Sequence, residues 1–195
     1  MSLPDNAPFT IVDLEQDTDV WRQWRTGGIG GSDAPTIMGE NPWRSYDDLL
    51  INRRSPAAAR SRPMTPAMAR GVALEPVARA AYCKAKGIIL APLCAENIER
   101  PWMRCSLDGI CLQTMQAVEI KCGQSAYRTA QRHRAVPRLY YGQLQHTMAV
   151  MGLSEMDFFC FVPGRLPLTI PVPRDDAYIE RLITRETDFW AAVNR

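Results

Sequence analysis

Residues 106–122 read SLDGICLQTMQAVEIKC. Two apolar stretches flank a turn near Gln113–Thr114, the pattern of a β-hairpin. The first arm carries Asp108 and the second carries Glu119 and Lys121. Charges are costly in a sheet that packs on a core, so three of them close together need a partner or a purpose. Antiparallel pairing about that turn sets Asp108 opposite Glu119. Two facing carboxylates repel unless a cation lies between them. Glu119 and Lys121 are two apart on one strand and share a face, so the three groups converge. Their oxygens, with the Ile120 backbone carbonyl and waters, suit Mg²⁺, with Mn²⁺ as a substitute. Lys121 is then placed to polarise a water on the ion or to help deprotonate it. A surface hairpin with a simple Glu119–Lys121 pair, and Asp108 in a turn beside Gly109, fits the same letters.

Two residues further out bear on that choice. Glu75 stands in RGVALEPVARAAY (70–82), a third carboxylate in an apolar, small-residue segment. An exposed helical glutamate is the plain alternative. Gln143 falls within the stripe Tyr140, Leu144, Thr147, Met148 and Met151, spaced by helical steps, whereas Gln145 falls off it. An inward glutamine must hydrogen-bond something, either a water or phosphate in an active site or a buried carbonyl.

Around these residues the chain reads as helices flanking a central mixed β-sheet. After an extended lead-in of 16 residues, Asp17 or Thr18 caps a short helix through DVWRQWR, which the glycines of TGGIGG stop. Ser32 is the expected N-cap of a short helix in DAPTIMG, closed by Gly39, and Ser45 opens another at YDDLLINRR. Residues 53–66 lack any apolar period and read as a mobile connector. A longer helix spans Thr65 to Lys86 and ends at Gly87, with a kink or break near Val72 imposed by Pro76. Strands are expected at GIILAP and CAENIE, then the hairpin. Helices follow at 125–134 and from Pro137 to Gly152. MDFFCFV reads as a buried strand and LTIPV as its edge partner. The last helix, capped by Asp175 or Asp176, lays Tyr178, Leu182, Ile183, Phe189 and Trp190 along its core face.

With 195 residues the chain fits one α/β domain, a core at about 21–162 followed by a C-terminal strand and helix in 163–195. A net charge of +2 is too small to indicate a nucleic-acid partner by itself. No long apolar run or basic-then-apolar leader is present, so a cytoplasmic protein without a membrane span is the expectation. The cysteines, Cys83, Cys94, Cys105, Cys111, Cys122 and Cys160, form no CxxC pair and read as buried reduced thiols rather than a zinc or iron–sulfur site.

Charge is nonetheless uneven. Between Glu119 and Glu155 there is no acidic residue, while Lys121, Arg128, Arg132, Arg134, Arg138, His133 and His146 all fall there. A solvated face is the usual meaning of such a run, but this one starts beside the carboxylate hairpin and reads as a non-specific DNA track. The two histidines are expected to face DNA or to be structural. Before the hairpin, Gly30 and Gly31 permit a close backbone approach at Ser32, and Arg25 offers a two-pronged contact, a combination suited to phosphate. A plain capped turn is the alternative. No GKS or GKT follows, which argues against a nucleotide-binding P-loop.

In order, GGSDAP, RGVALEP, SLDG, VEIK and YYGQLQHTM resemble the YqaJ-type viral recombinases, the family of phage lambda exonuclease within the PD-(D/E)xK nucleases. The likeness runs from about Trp21 to Val162. It implies a restriction-endonuclease-like core, metal-binding Asp108 and Glu119, a catalytic Lys121, and Glu75 completing the metal site. It also implies that Gln143 holds the catalytic machinery and that Arg25 and Ser32 grip a terminal 5′-phosphate. Leu107 stands where the superfamily names a proline. The implied activity is Mg²⁺-dependent 5′→3′ degradation of double-stranded DNA ends to leave 3′ overhangs. A ring trimer and a phage single-strand annealing protein as partner, in a bacterial host cytoplasm, follow from the same likeness. Alternatives are a restriction-type or Cas4-like nuclease of the superfamily, or a catalytically silent DNA-binding protein. The cysteine spacing does not offer the cluster a Cas4-like protein needs.

Overall fold

The computed structural model describes residues 7–55 and 65–195. Among the described residues seven strands are seen: β1 (Phe9–Val12), β2 (Ile29–Gly30), β3 (Ala91–Asn97), β4 (Met103–Cys111), β5 (Gln116–Lys121), β6 (Glu155–Cys160) and β7 (Leu168–Pro173). They form one sheet in the order β1-β3-β4-β5-β6-β7, and β2 pairs separately with β4. The β2–β4 and β5–β6 pairs are parallel and the rest antiparallel, which makes the sheet mixed as expected. The helices are α1 (Asp19–Thr26), α2 (Ala34–Ile37), α3 (Tyr46–Arg54), α4 (Pro66–Lys86), α5 (Gln124–His133), α6 (Arg138–Met151) and α7 (Asp176–Val193).

Helices cover both faces because β5 is apolar on both. Ala117 packs with Leu144 and Met148 of α6, together with Met103, Cys105, Leu107 and Ile110 of β4. Val118 and Ile120 meet Ala78 and Tyr82 of α4 on the other face. A parallel neighbour such as β6 is normally buried on both sides, and Met156 to Cys160 are all buried. Asp175 caps α7 by accepting the Tyr178 N–H at 2.9 Å. Along α7, Tyr178, Leu182 and Phe189 are buried as expected, and Ile183 and Trp190 partly so.

The hairpin register is the one the sequence implies, with Gly109 opposite Val118 and Ile110 opposite Ala117. The ladder stops there, short of Asp108. Against β3 the register shifts, since Ala91 faces Ile110 while Leu93 faces Leu107. Three steps on β4 thus match two on β3, a β-bulge at Asp108–Gly109. The bulge lets Leu107 and Ile110 enter the same core and turns Asp108 out of the regular pleat.

Several expectations need correction. The lead-in contains β1, which pairs with β3 through Phe9↔Asn97 to Val12↔Cys94. The two strands expected at GIILAP and CAENIE are one continuous β3, beginning only at Ala91. Ser32 is not an N-cap: it lies inside a 3₁₀ turn, Gly31–Asp33, and α2 beyond it is just four residues long. Asp33 stands at the N-cap position of α2, and its carboxylate turns back to close the 3₁₀ turn by accepting the Gly30 N–H at 3.1 Å. Helix α4 passes through Pro76 without a break. Pro76 and Val72 are both exposed, so the ring points outward and the carbonyl left without its N–H partner can be solvated. Of the expected connector, residues 56–64 lie outside the described residues, while Arg53 and Arg54 end α3 and Pro66 starts α4.

Candidate active site

Strand β4 has β3 along its whole inner side, but on its other edge it pairs first with β2, at Met103 and Arg104, and then with β5, from Gly109 onward. Residues 105–108 therefore border a gap where the sheet splays. A cavity of about 210 Å³ opens there. It is lined by Asp108, Glu119, Lys121, Glu75, Gln143, Arg25 and Ser32, so the side chains expected at the metal site and the phosphate grip meet in one place.

Each of these side chains has an identifiable support. The Asp108 carboxylate accepts the Ile120 N–H at 2.7 Å, replacing the ladder bond that the bulge removed. In an extended strand the N–H and C=O of one residue project to the same side, so the Ile120 carbonyl also faces Asp108. Asp108 and Glu119 do not stand as a flat facing pair, as a regular hairpin would have them; the bulge brings Asp108 in from the strand edge. Glu119 is almost fully buried and is held by the Lys121 ammonium and by Gln143, whose Nε2 donates to Oε1 at 2.6 Å. Gln143 can do this because it lies one turn before Thr147 on the α6 face over β5, where Gly31 presses against it. A Cβ at Gly31 would lie 3.2 Å from the Gln143 Cγ and 3.3 Å from the Thr147 Oγ1. Glu75 pairs with Arg79 at 2.6 Å, one turn on, and Arg79 also donates to the Asp108 carbonyl.

The electrostatics follow from burial. Desolvation, then the charge of Asp108, pushes the Glu119 carboxyl up to about 7. Desolvation raises Asp108 as well, and desolvation followed by Asp108 raises Glu75. Burial alone would lower Lys121, but Glu119 and Asp108 hold it above its usual value, so it carries a full positive charge at neutral pH. A lysine held in this form is suited to serve as a fixed cation.

Among the described residues no three His, Cys, Asp or Glu side chains are drawn close enough to enclose an ion unaided. The donors fit a hydrated divalent ion nonetheless. Mg²⁺ keeps several waters and uses only one or two carboxylates, and here Asp108, Glu119 and a strand carbonyl offer hard oxygens in a pocket whose acids repel one another. Glu75, tied to Arg79, would be a further donor.

At the far end of the cavity, the Arg25 Nη2 donates to the Ser32 Oγ at 2.8 Å, and the guanidinium lies 4.5 Å over the Trp21 ring. The Trp21 indole N–H donates to the Ser106 Oγ at 2.9 Å. Trp21, Trp24, Arg104 and Ser106 also line the cavity and were not singled out in the sequence. The alternation of Arg104, Ser106 and Asp108 on β4 was a legible signal for two of them.

Other expected residues fall elsewhere. Arg128, Arg132, Arg134 and Arg138 are exposed on α5 and at the start of α6, and none lines the cavity. Arg138 pairs with Glu40 at 3.5 Å. His133 is exposed, whereas His146 is fully buried, with Nδ1 2.7 Å from Glu186 and Nε2 3.0 Å from the Arg104 carbonyl. Gln145, off the expected stripe, is also fully buried and ties α6 to the Pro173 carbonyl at 3.0 Å and the Asp175 N–H at 2.9 Å. Helix α6 is thus embedded on most sides rather than along one stripe. All six cysteines are free thiols, Cys94, Cys105 and Cys160 buried and the others half-buried.

A mixed sheet between helices, with two acids and a lysine at a bulged hairpin, is the restriction-endonuclease-like fold. The model of the YqaJ-like viral recombinase domain matches residues 20–154, and the chain belongs to that family. It is 25% identical over 189 residues to the YqaJ protein of Bacillus subtilis (strain 168), covering 94% of this chain but 59% of that protein's length. Among solved structures, the alkaline exonuclease LHK-Exo from Laribacter hongkongensis superposes with a TM-score of 0.80 at 23% identity, covering 91% of this chain and 93% of that one. A phage-related exonuclease from Haemophilus somnus 129PT gives 0.64 at 11% identity, over 85% and 93% of the two chains. These likenesses establish the fold.

Proposed function

We propose that the chain is a divalent-metal-dependent deoxyribonuclease that degrades double-stranded DNA from a 5′ end. The observation that carries this reading is the meeting, in one cavity, of Asp108, Glu119, Lys121, Glu75 and Gln143 with an Arg25–Ser32 grip at the other end. Solved relatives described as exonucleases share the fold and support it.

A divalent ion held by Asp108, Glu119 and the Ile120 carbonyl would neutralise phosphate charge and supply an activated water. Lys121 contributes a positive charge where negative charge grows on the phosphorane-like transition state. Gln143 fixes the Glu119 oxygen that Lys121 also holds, so the carboxylate cannot rotate away. Arg25 and Ser32 are suited to a terminal phosphate, because a guanidinium stacked on Trp21 and bonded to the Ser32 hydroxyl sets donors from both side chains side by side for an anion. Binding the end one site away from the acids places the first linkages over them. Mg²⁺, with Mn²⁺ substituting, a ring of three copies, and a phage annealing protein receiving the 3′ overhang complete the reading, in a bacterial host cytoplasm. No helix among the described residues is long and apolar enough to cross a membrane.

The test is a linear duplex with a 5′-phosphate on one strand only, incubated with and without Mg²⁺ and resolved strand by strand. Loss of the phosphorylated strand alone, only with metal, is expected. Metal-independent cleavage, or equal loss of both strands, would sink the proposal.

A further inference from the structure

We infer that the Asp33–Arg53 ion pair positions the Arg25 grip and thereby sets how strongly the cavity selects a 5′-phosphate; this rests on the phosphate-binding reading above. Arg53 lies in the last turn of α3, and its Nη1 donates to the Arg25 main-chain carbonyl at 2.9 Å. Its Nη2 sits on the Asp33 carboxylate, and the same carboxylate oxygen accepts the Gly30 N–H at 3.1 Å. One ion pair therefore clasps both ends of the Thr26–Ile29 turn, the carbonyl of Arg25 before it and the amide of Gly30 after it. Arg25 and Ser32 sit on either side of that clasp.

Neither Asp33 nor Arg53 lines the cavity, so both act through Arg25 and not on the substrate. Their side chains are only 6% and 12% exposed, which removes most solvent screening from the pair. Arg44 approaches Asp33 at 3.9 Å as well. Asp33 is thus the shared anion for Arg53 and Arg44, and Arg53 reaches on to the Arg25 main chain. Neutralising it would leave Arg53 uncompensated beside Arg25 and loosen the clasp on the turn. The grip would lose its geometry while Asp108, Glu119 and Lys121, carried on β4 and β5, kept theirs.

The experiment compares kcat and KM on duplexes with 5′-phosphate and 5′-hydroxyl ends for the wild type, Asp33→Asn, Arg53→Met and Arg53→Lys, with melting curves for each. Asn retains an acceptor for Gly30 but no charge; Lys retains the charge but cannot span both Asp33 and the Arg25 carbonyl. Asp33→Asn and Arg53→Met should lower the phosphate-over-hydroxyl ratio of kcat/KM by about tenfold, mainly through KM on phosphate ends, and Arg53→Lys should recover part of it. A merely structural staple would slow both substrates equally, leaving the ratio unchanged, and that result overturns the inference. A wild type indifferent to the 5′ group overturns the phosphate reading itself. If Asp33→Asn does not fold, the Arg53 pair of variants carries the same comparison.

Discussion

At the scale of single residues, the cavity's acids were legible because each was an anomaly in its own element. Asp108 and Glu119 interrupt apolar strands, and Glu75 interrupts a run of small residues. What the sequence could not show is what supports the Arg25 grip beside them. Asp33, Arg53, Trp21 and Arg104 act through tertiary approach and look like ordinary helix and strand residues. Asp108→Asn separates support from chemistry: the amide oxygen can still accept the Ile120 N–H, so the melting temperature should stay close to that of the wild type. Cleavage should fall by at least about 10²–10³-fold, the scale of losing one well-placed electrostatic group; a gel assay beside a thermal melt decides it. The buried His146–Glu186 pair makes a different prediction. Desolvation raises Glu186; burial alone would lower His146, but Glu186 holds it above its usual value. The pair therefore keeps a proton that the unfolded chain gives up more readily. The native state then binds more protons than the unfolded one, and stability is lost as pH rises above 6.5, the ordinary histidine value. Glu186→Gln, which can donate to a neutral His146, should flatten that decline. Melting temperatures from pH 6 to 9 that fall equally in both proteins would contradict it.

At the scale of elements, long periodic segments were readable and short or irregular ones were not. Helices α4 and α6 end at their expected left-handed glycines, Gly87 and Gly152, and α3 and α7 start at their expected caps, Ser45 and Asp175, since such signals act locally. Strands β1 and β2, four and two residues long, exist only because a partner edge is available, which no local pattern encodes. The bulge at Asp108–Gly109 was equally hidden, because it is defined against β3 and not within β4. Pro76 shows the reverse case, a strong local signal that tertiary structure overrides. Since the ring is exposed and α4 continues past it, Pro76→Ala should restore the missing hydrogen bond and stabilise the protein by about 1 kcal/mol. A lower melting temperature would show that the ring's rigidity matters more than the bond. Gly28 is the opposite kind of position. A Cβ there would lie 2.6 Å from the Trp102 carbonyl, against which β2 is pressed by the Ile29 N–H bond at 2.6 Å. Gly28→Ala should therefore cost about 1–3 kcal/mol by forcing β2 off β4, read in a denaturant titration.

For the whole molecule, the division of charge bears on how a duplex would be held under the proposed function. The cavity lining sets Asp17, Glu75, Asp108 and Glu119 against Arg25, Arg104 and Lys121, so it offers a duplex little net attraction. On that reading the duplex is held mainly by cations elsewhere on the surface. The acid-free interval after Glu119 supplies Arg128, Arg132 and Arg134, all exposed on α5 and its C-terminal end, which follows β5 directly. Arg138 contributes less, because Glu40 at 3.5 Å already neutralises it. Each phosphate neutralised by such a side chain releases condensed counterions, so affinity falls with salt in proportion to the contacts made. Replacing Arg128, Arg132 and Arg134 together by alanine should weaken binding to any duplex and reduce the slope of log affinity against log salt by about 2–3. Because these residues are far from the Arg25–Ser32 grip in the chain and absent from the cavity lining, the preference for a 5′-phosphate should survive the triple change. Filter binding across a salt series tests the first part and end-labelled competition the second. An unchanged slope would mean that the duplex crosses a different face of the protein. α5 would then be a solvated surface like any other.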